Sequence, residues 1–337
     1  MKRRDIVLYA LLAVYAILPW VPGVGVTTAG LAIATGLAAI GLALLMGHAG
    51  LVSFGHGFFY AIGAYTVAMV LNYTSLHEML LLLPLAVIAS LAVAALVGPI
   101  VVRHRGVYFA MITLTLGQLL YGALLQFYDI TGGSDGLPVT GYTVAGVSAE
   151  NLRPYLVYYV GFVLLALVAL GYRRLLYTPF AHILRAARDD EHRVVALGVK
   201  PSTVYYAAFI LSAGLAGLGG AIHAFIVEHV TPQLSYWEFS GELAFIALLG
   251  GVTGAAGPLL GSLVYQVAYA ELYQYIPEYW RMTLGALLLV IIFAAAGGLE
   301  GLLARLRGLA PLVGGAGERG IRELPGARQG ERVGRGG

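Results

Sequence analysis

MLLLLPLAVIASLAVAALVGPIVV, residues 79–102, carries no Asp, Glu, Lys or Arg. Coiled as an α-helix it is about 36 Å long, enough to cross the roughly 30 Å hydrocarbon core of a bilayer. In water the same stretch would be a large exposed apolar surface. Working outward, comparable apolar runs occupy residues 6–21, 26–46, 52–71, 107–127, 155–172 and 203–227, then 243–270 and 280–296. The chain of 337 residues is 59% apolar and 11% charged, with a mean hydropathy of +0.83. A soluble domain carries about 25% charged residues, so composition overrules the two soluble domains that length alone would suggest. The sequence predicts an all-α, polytopic integral membrane protein. Its transmembrane domain is expected over residues 1–298, and a Gly/Arg-rich tail, 299–337, is expected to be cytoplasmic and disordered. The chain has no cysteine, which excludes disulfides, thiolate metal sites and cysteine nucleophiles. The 46 glycines suit helices packed closely in lipid, and a net charge of +3 is no argument for a nucleic-acid partner.

Lys and Arg in short loops stay on the cytoplasmic side, which sets an orientation. The start, Lys2-Arg3-Arg4 before an apolar run, has the look of a signal peptide. No clear small-x-small cleavage site precedes Pro19-Trp20-Val21-Pro22, so it is read as a retained first span. With the N-terminus inside, residues 103–105, 173–200 and the tail are all inside if residues 243–270 cross twice. That arrangement gives about ten crossings and leaves only Arg153 and Arg281, of 20 Lys and Arg, outside. The bend within 243–270 falls at Gly250-Gly251-Val252-Thr253-Gly254-Ala255-Ala256-Gly257-Pro258. Irregular backbone at membrane depth lines a cavity or is covered by protein. Gly250, Gly251, Gly254, Gly257 and Pro258 are therefore pathway candidates, although a packing kink between close helices accounts for them equally well.

Between the sixth and seventh spans, Thr178-Pro179 starts a helix with Pro in its first turn, and Gly198 followed by Pro201 ends one. Ile183, Ala186, Ala187, Val194 and Val195 can face the protein while Arg185, Arg188, Asp189 and Arg193 project. This short charged helix beneath the membrane is either held by a cytoplasmic partner or is a solvated loop that sets orientation. On the outside, residues 129–154 form a polar loop too long for a simple hairpin. Within it, Thr131, Gly132, Gly133, Ser134, Asp135 and Gly136 read as an outer gate or dock, or as a capped turn. Ser53 and His56 are candidates to contact a polar substrate. The spacings of His48 with His56 and of His223 with His229 are not those of metal ligands, and no metal site is expected. Trp20, Tyr155, Tyr158, Tyr172, Trp237 and Trp280 are expected at span ends as an aromatic belt. Residues 212–221, SAGLAGLGGA, are expected to be a close-packing face.

Five blocks, in order, resemble the permease subunits of branched-chain amino acid ABC importers of the LivM type. They are GHAGLVSFGHGFFYAIGAYTVAMV (47–70), YFAMITLTLGQ (108–118), TGGSDGL (131–137), LRAARDDEHRVVALGV (184–199) and LLGGVTGAAGPLLGSL (248–263). The resemblance covers roughly residues 47–299. The chain departs from the importer loop motif, Glu-Ala-Ala…Gly, by placing His192-Arg193-Val194-Val195 between Glu191 and Ala196. The long tail has no counterpart in the resemblance.

The resemblance implies a multi-pass subunit of the inner (plasma) membrane that forms half of a translocation pathway for branched-chain or similar hydrophobic amino acids. It implies a second, LivH-like permease subunit, two ATPase subunits, and a periplasmic or lipid-anchored substrate-binding protein. It further implies that Asp189, Asp190, Glu191, Ala196 and Gly198 couple the chain to the ATPase, the carboxylates meeting basic or amide groups and Gly198 setting a turn. The chain has no G-x-x-x-x-G-K-[ST] loop, so ATP is expected to be used by the partners, with neither an enzyme activity nor a cofactor in this chain. Relatives with the same blocks carry urea or short amides, which is the alternative substrate class. An ion-coupled secondary transporter is the alternative from another class. Such proteins carry an ionisable residue deep in a span, whereas every Asp, Glu, Lys and Arg here reads as lying in a loop or near a span end.

Overall fold

The computed structural model describes residues 3–147, 153–294 and 297–306. Helix α1 (Arg3–Ile17) leads to α2 (Val26–Ala43), whose end widens into a π-type turn over Leu44–Ala49. There follow α3 (His56–Tyr73), α4 (Met79–Val101), α5 (Gly106–Gln126), the single turn α6 (Tyr128–Thr131) and α7 (Arg153–Leu175). Two short helices, α8 (Pro179–Asp189) and α9 (Glu191–Ala196), precede α10 (Pro201–Val227). The last four are α11 (Trp237–Gly250), α12 (Ala256–Tyr275), α13 (Trp280–Ala294) and α14 (Gly298–Leu306). One departure from an all-α chain is a two-stranded antiparallel ribbon of β1 (Leu137–Pro138) and β2 (His229–Val230).

Among the described residues, five helical segments, within 26–49, 79–101, 106–126, 154–175 and 201–227, are long and apolar enough to cross a membrane. The chain is a polytopic helical membrane protein. Its centre is α2 and α10, made of Ala, Gly and Leu and nearly all buried from Ala29 to Ala43 and from Ala213 to Ala221. Around them α4, α5 and α7 turn apolar side chains outward, among them Leu96, Leu119 and Leu167 at 77%, 68% and 62% exposed. Lipid is the natural solvent of such faces, and an apolar groove of about 710 Å³ runs between α4 and α7. In lipid no hydrophobic force draws helices together, so small residues that allow close packing must do so. The sequence met that need in its small-residue stretch: a Cβ on Gly220 would collide with the carbonyl of Tyr60, and one on Gly63 with that of Gly217.

The bundle has two distinct ends. A basic end gathers α8, α9, the turn before α5, the π-type turn and α14. A loop end gathers α6, the ribbon and the turn from 74 to 78. Between them the chain breaks twice at mid-depth. After the π-type turn it runs from the basic end through residues 50–55 without helix and begins α3 inside the bundle. After α10 it turns back at the loop end, at Glu228 in the left-handed region (φ 57°), and descends through residues 229–236 before α11 begins. The two breaks are thus inverted with respect to each other, and they meet where the Gly57 amide donates to Ser240 Oγ at 3.0 Å.

The glycine-rich bend expected within 243–270 is present as the turn from 251 to 255 between α11 and α12. It lies at the basic end and not at mid-depth. Gly47 packs against the backbone of Val252, and a Cβ on Gly254 would strike the carboxylate of Glu300. Its glycines admit the close approach of α14, which also corrects the expectation of disorder for the first residues of the tail; residues 307–337 lie outside the described residues.

Candidate functional site

At the basic end, α8 begins at Thr178-Pro179 and α9 ends before Gly198, as the sequence predicts. Asp190 caps α9: its Oδ1 accepts the amides of His192 and Arg193 at 3.0 and 3.4 Å, and Arg193 pairs with its Oδ2 at 2.9 Å. Desolvation is the largest single influence on this carboxyl and acts upward, but the two amides and the Arg193 guanidinium together outweigh it and hold Asp190 below the ordinary carboxylate range. Glu191 is taken within the chain, its Oε1 accepting Arg105 Nε at 2.7 Å, while the Arg105 guanidinium lies 4.0 Å from the centre of the Tyr205 ring. Asp189 accepts from Arg188, which also donates to the Gly47 carbonyl at 2.6 Å and so ties α8 to the end of α2. Gly198 has φ +80° and open space around it, a conformation that favours glycine. Beside it Val195 and Leu197 are 58% and 80% exposed, and Ala196 is exposed too. The elbow between α9 and α10 therefore presents apolar side chains as well as charge, which the reading of its carboxylates missed. A polar cavity of about 110 Å³ lies nearby, lined by His48, Arg173, Arg185, Gly254 and Glu300 among others.

At mid-depth, Ser53 and His56 are wholly buried, and their polar atoms are used within the fold. His56 Nδ1 lies 3.1 Å from Ser53 Oγ and Nε2 lies 2.6 Å from Ser212 Oγ on α10. The Phe54 amide donates to Thr113 Oγ1 of α5 at 3.2 Å. Backbone freed by a break must find partners in a medium without water, and these side chains supply them. Helix α10 is about 40 Å long and Ser212 lies about 17 Å from its start, so the cluster is close to the middle of the membrane.

The second break brings different chemistry to that level. Ser235 and Tyr236 pack against α5, Tyr236 on the Tyr121 ring at 4.8 Å between centroids. Trp237, expected in the interfacial belt, starts α11 at mid-depth; Tyr158 and Tyr172 of the same expectation are buried, Tyr158 donating to the carbonyl of Tyr15. Two residues past Ser240 stands Glu242, half-buried, which accepts a hydrogen bond from the Tyr265 hydroxyl of α12. The expectation that no charged residue lies deep in a span is corrected here. The signal was present: the apolar run from 243 to 250 is too short for a crossing, so its helix had to begin earlier.

At the loop end, TGGSDGL is a capped turn laid over the second break. Thr131 Oγ1 donates to the Leu124 and Phe127 carbonyls at 2.5 and 2.8 Å and receives the Gly133 amide at 3.3 Å. Gly132, Gly133 and Gly136 take φ values of +73°, +54° and +74°. Ser134 Oγ donates to Asp135 at 3.2 Å, and the Asp135 carbonyl lies 2.8 Å from His229 Nε2. Among the described residues no group of three or more His, Asp or Glu is placed to hold a metal.

A helical bundle with several membrane-crossing helices, broken twice at mid-depth and carrying a helical elbow at one end, is the build of a polytopic membrane protein. Residues 25–292 match the family described as branched-chain amino acid transport system permease components, and the chain belongs to that family. It is 30% identical over 275 residues to the high-affinity branched-chain amino acid permease proteins LivM of Salmonella typhimurium and of Escherichia coli, covering 75% of this chain and 64% of each relative. The chain thus spans somewhat less than two thirds of the length of these relatives. To LivH of S. typhimurium, a permease protein of the same kind of system, it is 25% identical over 79% of this chain and 90% of the relative. No solved structure matches the chain.

Proposed function

We propose that this chain is one permease subunit of an ATP-driven, binding-protein-dependent importer of branched-chain or similar hydrophobic amino acids. A LivH-like second permease completes the pathway, two ATPase subunits dock on the elbow of α8 and α9, and a periplasmic or lipid-anchored binding protein delivers substrate at the loop end. The observation that carries the coupling role is the elbow itself: Asp190 and Gly198 fix its shape, and Val195, Ala196 and Leu197 are left uncovered. Asp189 and Glu191 act through their internal partners Arg188 and Arg105. In this reading the basic end is cytoplasmic, since Arg105, Arg173, Arg174, Arg185, Arg188, Arg193 and Lys200 all gather there. Both termini then lie inside after about ten crossings, α11 and α12 counting as two, and the region from 1 to 298 forms a single transmembrane domain. Ser53 and His56 support the pathway as its fixed wall.

Gentle solubilisation of the tagged chain from its own host tests the proposal. Co-purification of an ATPase pair and a second permease is the expected result. A chain that purifies alone and drives ion-coupled uptake would overturn it in favour of a secondary transporter, for which a carboxylate at mid-depth is the observation in favour.

A further inference from the structure

Glu242 is a carboxylate where carboxylates are costly. A charged side chain at the bilayer centre costs several kcal/mol unless it meets a partner or a water-filled cavity. Its level is fixed by Ser240, whose Oγ receives the Gly57 amide beside His56. Tyr265 supplies one hydrogen bond. An ionised carboxylate has about four acceptor positions, so most of its capacity is unused. The nearest cation is Arg281, which pairs with Glu238 one turn away at 3.2 Å and also attracts the Glu242 carboxylate through its charge. Beside it, a Cβ placed on Gly241 would meet nothing within 4 Å. The same face of α11 continues as Phe245 and Leu248, exposed at 46% and 38%. A face that carries a carboxylate at mid-depth is not one that lipid covers.

We infer that Glu242 is the cation subsite of the translocation pathway, holding the ammonium group of the passing amino acid while Tyr265 orients the carboxylate. The inference rests on the amino-acid importer reading above. An ammonium presents three donors and would fill the positions that Tyr265 leaves open. The apolar remainder of the substrate would then lie along Phe245 and Leu248.

The test uses the absence of cysteine from the chain. Gly241→Cys places a thiol in the open space next to an intact Glu242, and Leu96→Cys on the lipid face of α4 is the control. Both are made in the full chain, assembled with its partner subunits in membranes, and exposed to membrane-impermeant cationic and anionic thiol reagents. The cationic reagent should label position 241 quickly and position 96 hardly at all. Leucine should slow labelling at 241, and 4-methyl-2-oxopentanoate, which lacks the ammonium, should not. Adding Glu242→Gln should abolish the protection by leucine and lower the preference for the cationic reagent about tenfold, the change expected from about 1.4 kcal/mol. An unreactive thiol at 241, equal protection by the keto acid, or protection that survives Glu242→Gln would each overturn the inference. The parent reading fails separately, by the absence of ATP-driven leucine uptake in the unaltered assembly.

Discussion

The two mid-depth breaks use the same backbone device for opposite ends. The first, residues 50–56, closes upon itself: His56 bridges Ser53 and Ser212, Thr113 receives the amide of Phe54, and all four side chains are buried. The second, residues 228–237, is held from outside by the ribbon and by the capped turn at 131–136, and the helix it starts carries Glu238 and Glu242 along a face that stays partly uncovered. One break therefore anchors and the other exposes. A broken helix in lipid must satisfy its freed backbone in either case. What differs is whether polar capacity is left over, and only the second break leaves a carboxylate with capacity to spare.

The contrast can be broken most severely at its shared support. Gly220→Val pushes a branched side chain into the Tyr60 carbonyl, with no flexible atom to yield; overpacking of this kind costs about 3 kcal/mol or more. Both breaks should collapse, seen as loss of the monodisperse peak in detergent chromatography. If Gly220→Val remains folded, the backbone contact of α3 with α10 is not what positions the breaks.

A smaller effect separates anchor from pathway. His56→Ala leaves the Ser53 and Ser212 hydroxyls without the imidazole and should cost about 2 kcal/mol, read as a lowered midpoint of thermal aggregation. Uptake per folded molecule should stay near that of the unaltered chain. Loss of uptake with full stability would make His56 a pathway residue and erase the distinction drawn between the breaks.

At the basic end, Glu191→Arg sets two arginines against each other beside α9 and should reduce uptake about tenfold. Arg105→Glu in the same chain should restore most of it, because the pair is made again with its charges exchanged. Failure of the exchange would mean that Glu191 meets the ATPase directly.

The smallest effect is expected farthest from both breaks. Glu78, ahead of α4, accepts from Thr143 at 2.7 Å and from the amides of Ala145 and Gly146 at 2.7 and 3.1 Å. The Thr143 hydroxyl first, then these amides, hold its carboxyl below the ordinary 4.5. A folded-state value below the unfolded one adds stability that is full above the unfolded value and is lost as pH falls through the folded one. Glu78→Gln should flatten that acid limb in a series of melting curves and leave the neutral limb almost unchanged.

Much of the molecule was legible in the sequence because hydrophobic length and helix punctuation are local properties. The uncharged run at 79–102 declared a membrane protein, Thr178-Pro179 and Gly198 marked the elbow, and the glycines from 250 to 257 divided α11 from α12. Depth was not legible. Residues 229–242 have the polar, proline-bearing composition of an outer loop, and 50–55 that of a turn. Contacts with α5 and α10, remote in sequence, draw both into the bundle. Periodicity reports how long a helix can be and which face is apolar, but not where along the membrane normal it begins. That level is set by tertiary hydrogen bonds such as Gly57 to Ser240 and His56 to Ser212, and so only the tertiary structure could place Glu242 inside the membrane.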